Sequence, residues 1–211
     1  MAISRSKLAN EGWVGLAQLT SMRSAARAPL TGDDVPQDLE TVYDTWAHFV
    51  WLTLQRLGVR YADLEDVCHD VFLVAHRKFS EFDGRVKVNA WLFGICLRVA
   101  ANYRRRARFR LEYPAGSMNH DEDPMTIAPS SIRPDEEVAR REAQTRAQAI
   151  LDRMDLAKRA VFLMFEIEGM SCQQIADQVG VPVGTVYSRL HSARVFFERE
   201  AERAATEVSD G

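Results

Sequence analysis

The sequence predicts an all-α protein made of two small helical domains joined by a flexible acidic linker. Apolar residues recur every three or four positions through most of the chain, which is the period of a helix. Residues 111–134 lose that period and contain four prolines, as a linker does. Residues 170–194 have the pattern of two short helices joined by a tight turn, which is typical of a DNA-binding helix-turn-helix.

The first domain is predicted to span residues 39–110 and to contain three helices. Leu39 begins the first helix and Gly58 ends it. Asp63 and Asn89 precede the second and third apolar stripes, and both are predicted to be N-caps because their side-chain oxygens accept hydrogen bonds from free backbone N–H groups. The third helix runs on into a series of arginines that ends at Arg110.

The second domain is predicted to span residues 135–200 and to end in the helix-turn-helix. Ser171 is expected to cap the first helix of that motif, and Gly180 to end it in the left-handed conformation. Val186 and Leu190 face inward at helical spacing, so the polar residues between them are left outside, where they suit a DNA groove. An ordinary helical hairpin is the alternative for this motif taken alone.

The terminal segments are predicted to lie outside the two domains, and neither they nor the cysteines and histidines indicate a membrane segment or a metal site. Residues 1–38 are predicted to be a weakly ordered N-terminal extension and residues 201–211 a tail. No apolar run is long enough to insert into a membrane, and no signal peptide is expected. The three cysteines are far apart and are predicted to be buried reduced thiols. The histidines have no metal-ligand spacing, so neither a metal nor a cofactor is expected.

Charge is distributed unevenly along the chain, although the net charge is only −3. Residues 39–110 hold 12 Lys and Arg against 8 Asp and Glu, whereas residues 111–134 hold 1 against 4. Aromatic residues such as Phe82 and Tyr103 lie around the basic run, and aromatic rings can stack on unpaired bases while arginines hold phosphates. The alternative is a solvated helix end whose cations favour the helix dipole.

Taken in order, these blocks resemble an extracytoplasmic-function sigma factor of bacterial RNA polymerase. The resemblance is carried by DLEDVCHDVFLVAHRKFSEFDGR, NAWLFGICLRVAANYRRR and the long segment that ends in VGTVYSRLHSAR. It covers about residues 39–110, which correspond to sigma region 2, and residues 135–200, which correspond to sigma region 4. The acidic linker between them would sit in a channel that normally holds nucleic acid.

The resemblance implies three sets of binding residues. The set that would bind core polymerase is Asp66, His69, Asp70, Phe72 and His76. The set that would recognise and melt the minus-ten element is Phe82, Arg98, Asn102, Tyr103, Arg104, Arg105 and Arg106. The set that would read the minus-thirty-five element is Thr185, Tyr187, Ser188, Arg189, His191, Ser192 and Arg194. The residues alone already predict that Asp66, His69 and Asp70 are exposed, because they fall off the apolar stripe of their helix.

The chain departs from the family pattern at a few positions. Arg98 stands where the melting helix commonly carries asparagine, and Tyr187 and Ser192 stand where the recognition helix is commonly basic. Met154 and Asp155 replace a common Leu-Pro pair. The departures in the DNA-binding helices concern which promoter sequence is read, and not the family.

The function implied by the resemblance is transcription initiation in the cytoplasm, with core RNA polymerase, promoter DNA and an anti-sigma factor as partners. No small-molecule substrate and no enzymatic activity are expected, since no nucleophile, carboxylate pair or phosphate-binding glycine loop is evident. One alternative is a helix-turn-helix repressor or activator that binds duplex DNA without polymerase. Another is a protein-interaction adaptor, which would leave the polar face of the recognition helix without a purpose.

Overall fold

The structure is a computed structural model that describes residues 39–84, 86–112 and 134–209. These residues form seven α-helices and two short 3-10 helices with no strand, which confirms the all-α prediction. The helices are α1 (Leu39–Arg56), α2 (Leu64–Lys78), α3 (Val88–Glu112), α4 (Pro134–Asp152), α5 (Leu156–Glu166), α6 (Cys172–Val179) and α7 (Val183–Ser209).

The N-terminal domain is formed by α1, α2 and α3, each of which packs against the other two. Leu54, Val71 and Leu92 supply one fully buried side chain from each helix. Burying a side chain of this size stabilises the fold by about 1.5–3 kcal/mol before the entropy cost of ordering it. The three amphipathic stripes predicted from the sequence therefore meet in one core.

One predicted N-cap of this domain is in place but lacks its capping bond, and the other is wrong. Asp63 occupies the N-cap position of α2, but its side chain makes no capping bond and instead bonds Arg60 and Tyr103. Helix α3 begins at Val88, so Asn89 lies inside its first turn, and its amide donates to Glu168 of the second domain at 3.2 Å. In both cases the side chain forms a hydrogen bond with a residue distant in sequence, whereas the sequence predicted a bond to the backbone of its own helix.

The C-terminal domain is formed by α4 to α7, with α5 against α7 at its centre. The rings of Phe162 and Phe197 stack there with centroids 5.2 Å apart. Asp155 caps α5 by accepting from the backbone N–H groups of Ala157 and Lys158, and the neighbouring Met154 is buried. The pair that replaces Leu-Pro thus supplies a helix cap and a core side chain.

The local structure of the helix-turn-helix follows the sequence prediction. The Ser171 hydroxyl accepts from the N–H of Gln174, and the Gln174 side chain accepts from the N–H of Ser171, which makes a complete capping box. Gly180 ends α6 with φ of +69°, a left-handed conformation that glycine adopts without a steric cost. Val186 and Leu190 are buried, as predicted.

Two helices end beyond the residues at which the sequence predicts their domains to end. Helix α3 continues to Glu112 and α7 to Ser209, so helix extends into the predicted linker and tail. The predicted N-terminal extension and residues 113–133 lie outside the described residues. Cys96 and Cys172 are buried free thiols, whereas Cys68 is half-buried. No helix within the described residues is long and apolar enough to cross a membrane.

The two domains are in contact, although the sequence predicts only a tether between them. Helix α6 packs against α3, and α4 packs against α1. Buried apolar residues of both domains form one continuous cluster. The helix-turn-helix therefore lies against the helix that bears the arginine run.

Candidate nucleic-acid interface

One face of α2 carries the side chains predicted to bind polymerase. Asp66, His69, Asp70 and His76 are all exposed. Phe72 differs, since it is only 6% exposed and its ring lies 4.7 Å from that of Tyr43. Phe72 is thus a core residue that supports Tyr43.

Sequence reasoning missed two apolar residues at this surface. Leu73 is 43% exposed and falls at helical spacing from Asp66 and Asp70, and Tyr43 of α1 is 52% exposed. An apolar residue on the polar side of a helix was the signal available for Leu73. Tyr43 gave no such signal, because its place in the α1 stripe predicted burial. The surface is therefore acidic with an apolar centre.

A basic stripe runs along the exposed side of α3. Arg98, Asn102 and Arg105 are exposed at spacings that place them on one helical face, and Arg106 is exposed beside them. An amino group of Arg105 lies 3.4 Å from the amide oxygen of Asn102. The arginines present positive charge and hydrogen-bond donors to solvent. The Asn102 amide presents both a donor and an acceptor.

Two residues of the predicted minus-ten set point into the protein instead. Arg104 is half-buried and donates to the carbonyl of Leu57 at 3.2 Å. The Tyr103 hydroxyl donates to Asp63 at 2.6 Å and accepts from Arg60 at 3.0 Å. Burial and the bond to Asp63 raise the pKa of Tyr103. Both side chains hold α3 against the turn before α2, and their contact with DNA stays a prediction.

Phe82 lies near the N-terminal end of α3 on a small aromatic cluster. Its ring centroid is 5.0 Å from that of Trp91, which also contacts Phe79. Phe82 and Trp91 are both half-buried. The cluster therefore fixes the ring of Phe82 at the surface while leaving part of it accessible to solvent.

Helix α7 presents the predicted recognition residues in its first turns. Tyr187, Ser188 and His191 are exposed, and Thr185, Arg189 and Ser192 are partly exposed. Val195, one turn further along, is 50% exposed. The buried residues of α7 lie on the opposite side, so the helix presents one polar face to solvent.

Arg194 is held at the edge of this face by α5. Its guanidinium forms a 2.6 Å ion pair with Glu166 and lies 4.9 Å from the ring centroid of Phe165. The Arg194 side chain is 39% exposed, so it retains access to solvent. Part of its positive charge is compensated within the protein.

Comparison with known proteins assigns the family. Residues 42–110 match Sigma-70 region 2, and residues 144–196 match Sigma-70, region 4. The ECF RNA polymerase sigma factor SigL of Mycobacterium tuberculosis is 31% identical over 156 residues, which cover 74% of this chain and 84% of SigL. The chain belongs to the family of ECF RNA polymerase sigma factors. The RNA polymerase sigma factor CnrH of Cupriavidus metallidurans is 30% identical, covering 65% of this sigma factor and 72% of CnrH.

Solved structures share the fold of this sigma factor. The sigma factor RpoE in complex with the anti-sigma factor NepR from Bartonella quintana has a TM-score of 0.58 at 18% identity, covering 78% of this chain and 96% of RpoE. CnrH in complex with the cytosolic domain of CnrY has a TM-score of 0.52 at 21% identity, and the match covers 95% of this chain and 99% of CnrH. Family membership favours promoter recognition as a sigma factor over the repressor or activator alternative.

Proposed function

We propose that this sigma factor binds core RNA polymerase through α2, opens and holds the minus-ten element with α3, and reads the minus-thirty-five element with α7. The observation that carries the proposal is the exposed stripe of Arg98, Asn102 and Arg105. It is a positive surface that also carries an amide, in a domain that matches Sigma-70 region 2. Such a surface can hold phosphates and contact an unpaired base.

The α2 surface supports the polymerase contact through its composition. Protein interfaces gain most of their affinity from a few central apolar side chains, and surrounding charges give orientation and specificity. Leu73 and Tyr43 would form the apolar centre, and Asp66 and Asp70 the charged rim. A basic surface on the polymerase is the complement of this arrangement.

The proposal for α7 rests on which side chains can reach base edges. Arg189 can form paired hydrogen bonds with a guanine, and Ser188 and His191 can each donate or accept. Tyr187 and Thr185 would supply an aromatic ring and a methyl group. Arg194 is expected to contact a phosphate, since Glu166 holds its guanidinium to one side of the helix.

The partners and location follow from this role. RpoE and CnrH are each solved with another protein, called an anti-sigma factor in the first case. We infer that an anti-sigma factor also binds this chain. The protein works in the cytoplasm, where polymerase and promoters are, and it recruits and positions without catalysing a reaction. It needs no metal, cofactor or small-molecule substrate for that role.

Arg189→Ala tests the reading of the upstream element. We expect holoenzyme affinity for the preferred promoter to fall by about 1–3 kcal/mol and the preference at one base pair to relax. Selection from a library of randomised minus-thirty-five elements measures both. Arg199→Ala, further along α7, is the matched control and should leave the preference unchanged. An equal loss of affinity for every sequence would make Arg189 a phosphate contact.

Arg98→Asn tests the reading of the minus-ten element. Arginine donates hydrogen bonds but accepts none, whereas asparagine does both, so we expect the preferred base to change more than the overall affinity. Replacing Arg105 and Arg106 with alanine should weaken melting for all sequences and flatten its salt dependence. Permanganate footprinting on a promoter library compares the two variants. If Arg98→Asn kept the wild-type base preference, Arg98 would not be a reading residue.

A further inference from the structure

The two halves of α3 are attached to the rest of the protein in different ways. The first half supplies Leu92, Ile95 and Ala100 to the apolar core. Among the α3 side chains that the structure describes, Ala100 is the last that is buried, although the helix continues to Glu112. At 1.5 Å per residue, this second half is about 18 Å long. It carries Asn102 and most of the basic run, so the part of α3 proposed to hold DNA extends beyond the core.

A cluster of three polar side chains joins this second half to the turn before α2. The Tyr103 hydroxyl donates to the Asp63 carboxylate at 2.6 Å and accepts from the Arg60 guanidinium at 3.0 Å. The same guanidinium donates to Asp63 at 2.6 and 2.9 Å. Hydrogen bonds to a charged partner are roughly twice as strong as those between neutral groups. Arg60, Asp63 and Tyr103 are called the Tyr103 cluster below.

The next residue along α3 makes a second contact with the same turn. Arg104 donates to the carbonyl of Leu57 at 3.2 Å, just beyond the end of α1 at Arg56. Carbonyls at the end of a helix carry partial negative charge, which suits a cation. Gly58 follows with φ of +88°, and a Cβ there would lie 2.7 Å from an amino group of Arg104. Glycine therefore permits both the left-handed turn and the close approach of Arg104.

The Tyr103 cluster connects α3 directly to the helix proposed to bind polymerase. Asp63 is at the N-cap position of α2, and Asp66 and Asp70 follow it one and two turns further on. At the other end of the bond, Tyr103 directly follows Asn102 of the exposed basic stripe. The hydrogen bond between Tyr103 and Asp63 therefore sets the orientation of the stripe relative to α2.

We propose that Tyr103 is a positioning residue, which with Asp63 and Arg60 fixes the second half of α3 relative to α2, so that the basic stripe is already ordered when it meets the separated DNA strand. The hydroxyl of Tyr103 acts within the protein, and its ring is the part left to contact DNA. Ordering a flexible segment during binding lowers affinity, and the cluster removes that cost in advance. The effect on DNA binding rests on the proposed function, whereas the stiffening of α3 is a property of the free chain.

Hydrogen exchange in the free full-length chain tests the stiffening. Tyr103→Phe and Asp63→Ala remove the same bond from opposite ends, and the first keeps the aromatic ring. We expect the amides of residues 101–107 to exchange about tenfold faster in each variant, with little further increase in the double variant, while those of residues 92–100 stay protected. Tyr61→Phe removes a hydroxyl from the same turn and is the matched control. Wild-type exchange of residues 101–107 in both variants overturns the inference.

Binding of the holoenzyme to DNA with an opened minus-ten region tests the consequence. Affinity for this DNA should fall about tenfold in each variant and little further in the double variant, because a bond to a charged group is lost once. Affinity for core polymerase and for duplex minus-thirty-five DNA should stay at the wild-type level, whereas unfolding of the domain would also weaken polymerase binding. Removing the Asp63 carboxylate would by charge alone strengthen binding to phosphates, so weaker binding by Asp63→Ala reports lost positioning.

The outcomes separate positioning from direct contact with DNA. Wild-type affinity of the Asp63→Ala holoenzyme for the opened DNA overturns the positioning role, even if Tyr103→Phe binds weakly, since the Tyr103 hydroxyl would then be a DNA contact. Equal weakening of polymerase binding in both variants also overturns it, because the cluster would then only stabilise the domain. A wild-type holoenzyme that does not bind the opened DNA contradicts the proposed function instead, and the hydrogen-exchange result then decides the inference by itself.

Discussion

Reversing the charges of Asp66 and Asp70 together is expected to weaken binding to core polymerase by about 100-fold or more. Both carboxylates are exposed on the same face of α2, beside Leu73. Lysines in their place would meet the basic surface that the proposal requires, and like charges at an interface cost on the order of several kcal/mol. Each 1.4 kcal/mol is about tenfold in affinity. Titration of fluorescently labelled protein with core polymerase measures the change.

A matched control separates this effect from the change in net charge. Glu198 and Glu202 are also exposed and also lie four residues apart, but on α7. Converting both to lysine should leave the affinity for core polymerase within a few-fold of wild type. Circular dichroism should show both variants folded. Wild-type binding by the Asp66→Lys, Asp70→Lys protein would remove α2 from the polymerase interface.

Val186→Asp is expected to unfold the C-terminal domain. Val186 is 0% exposed and faces the core from α7. A carboxylate there would be buried without a partner, which costs on the order of several kcal/mol and is comparable to the whole stability of a small domain. Urea denaturation followed by circular dichroism should show the helical signal of this domain lost while that of the N-terminal domain persists.

The same substitution at an exposed position of the same helix is the control for Val186→Asp. Val195 is 50% exposed, so Val195→Asp should change the free energy of unfolding by only about 0.5 kcal/mol. If Val186→Asp unfolded no more easily than Val195→Asp, Val186 would not be packed in the core of the C-terminal domain.

Features that depend on neighbouring residues in the chain could be predicted from the sequence. The Ser171 cap, the left-handed Gly180 and the inward Val186 all follow from local backbone chemistry and helical period. Asn89 was mispredicted because its partner, Glu168, is distant in sequence, and Asp63 makes no capping bond because its carboxylate bonds Tyr103 and the nearby Arg60 instead. A capping residue has the same local pattern whether or not a tertiary partner takes its side chain.

The buried polar contacts could not be predicted at all. Nothing in the sequence around Arg159 distinguishes it from a solvated arginine, yet it is fully buried between the domains. The sequence predicts Arg194 to be one more exposed cation of the recognition helix, but Glu166 and Phe165 of α5 fix the position of its guanidinium. Phe72 is close in sequence to the exposed His69 and His76, yet it is buried and its ring contacts that of Tyr43 from α1. Each of these outcomes depends on how helices pack.

The central claim is that this chain recognises promoters as a subunit of RNA polymerase. The most direct measurement is a gel-shift comparison on promoter DNA with an opened minus-ten region, using the protein alone, core polymerase alone, and both together. We expect a sequence-specific complex only when both are present, and weak binding by the protein alone. Specific, tight binding of duplex promoter by the protein alone, unchanged by core polymerase, would contradict the account and support a helix-turn-helix repressor or activator instead.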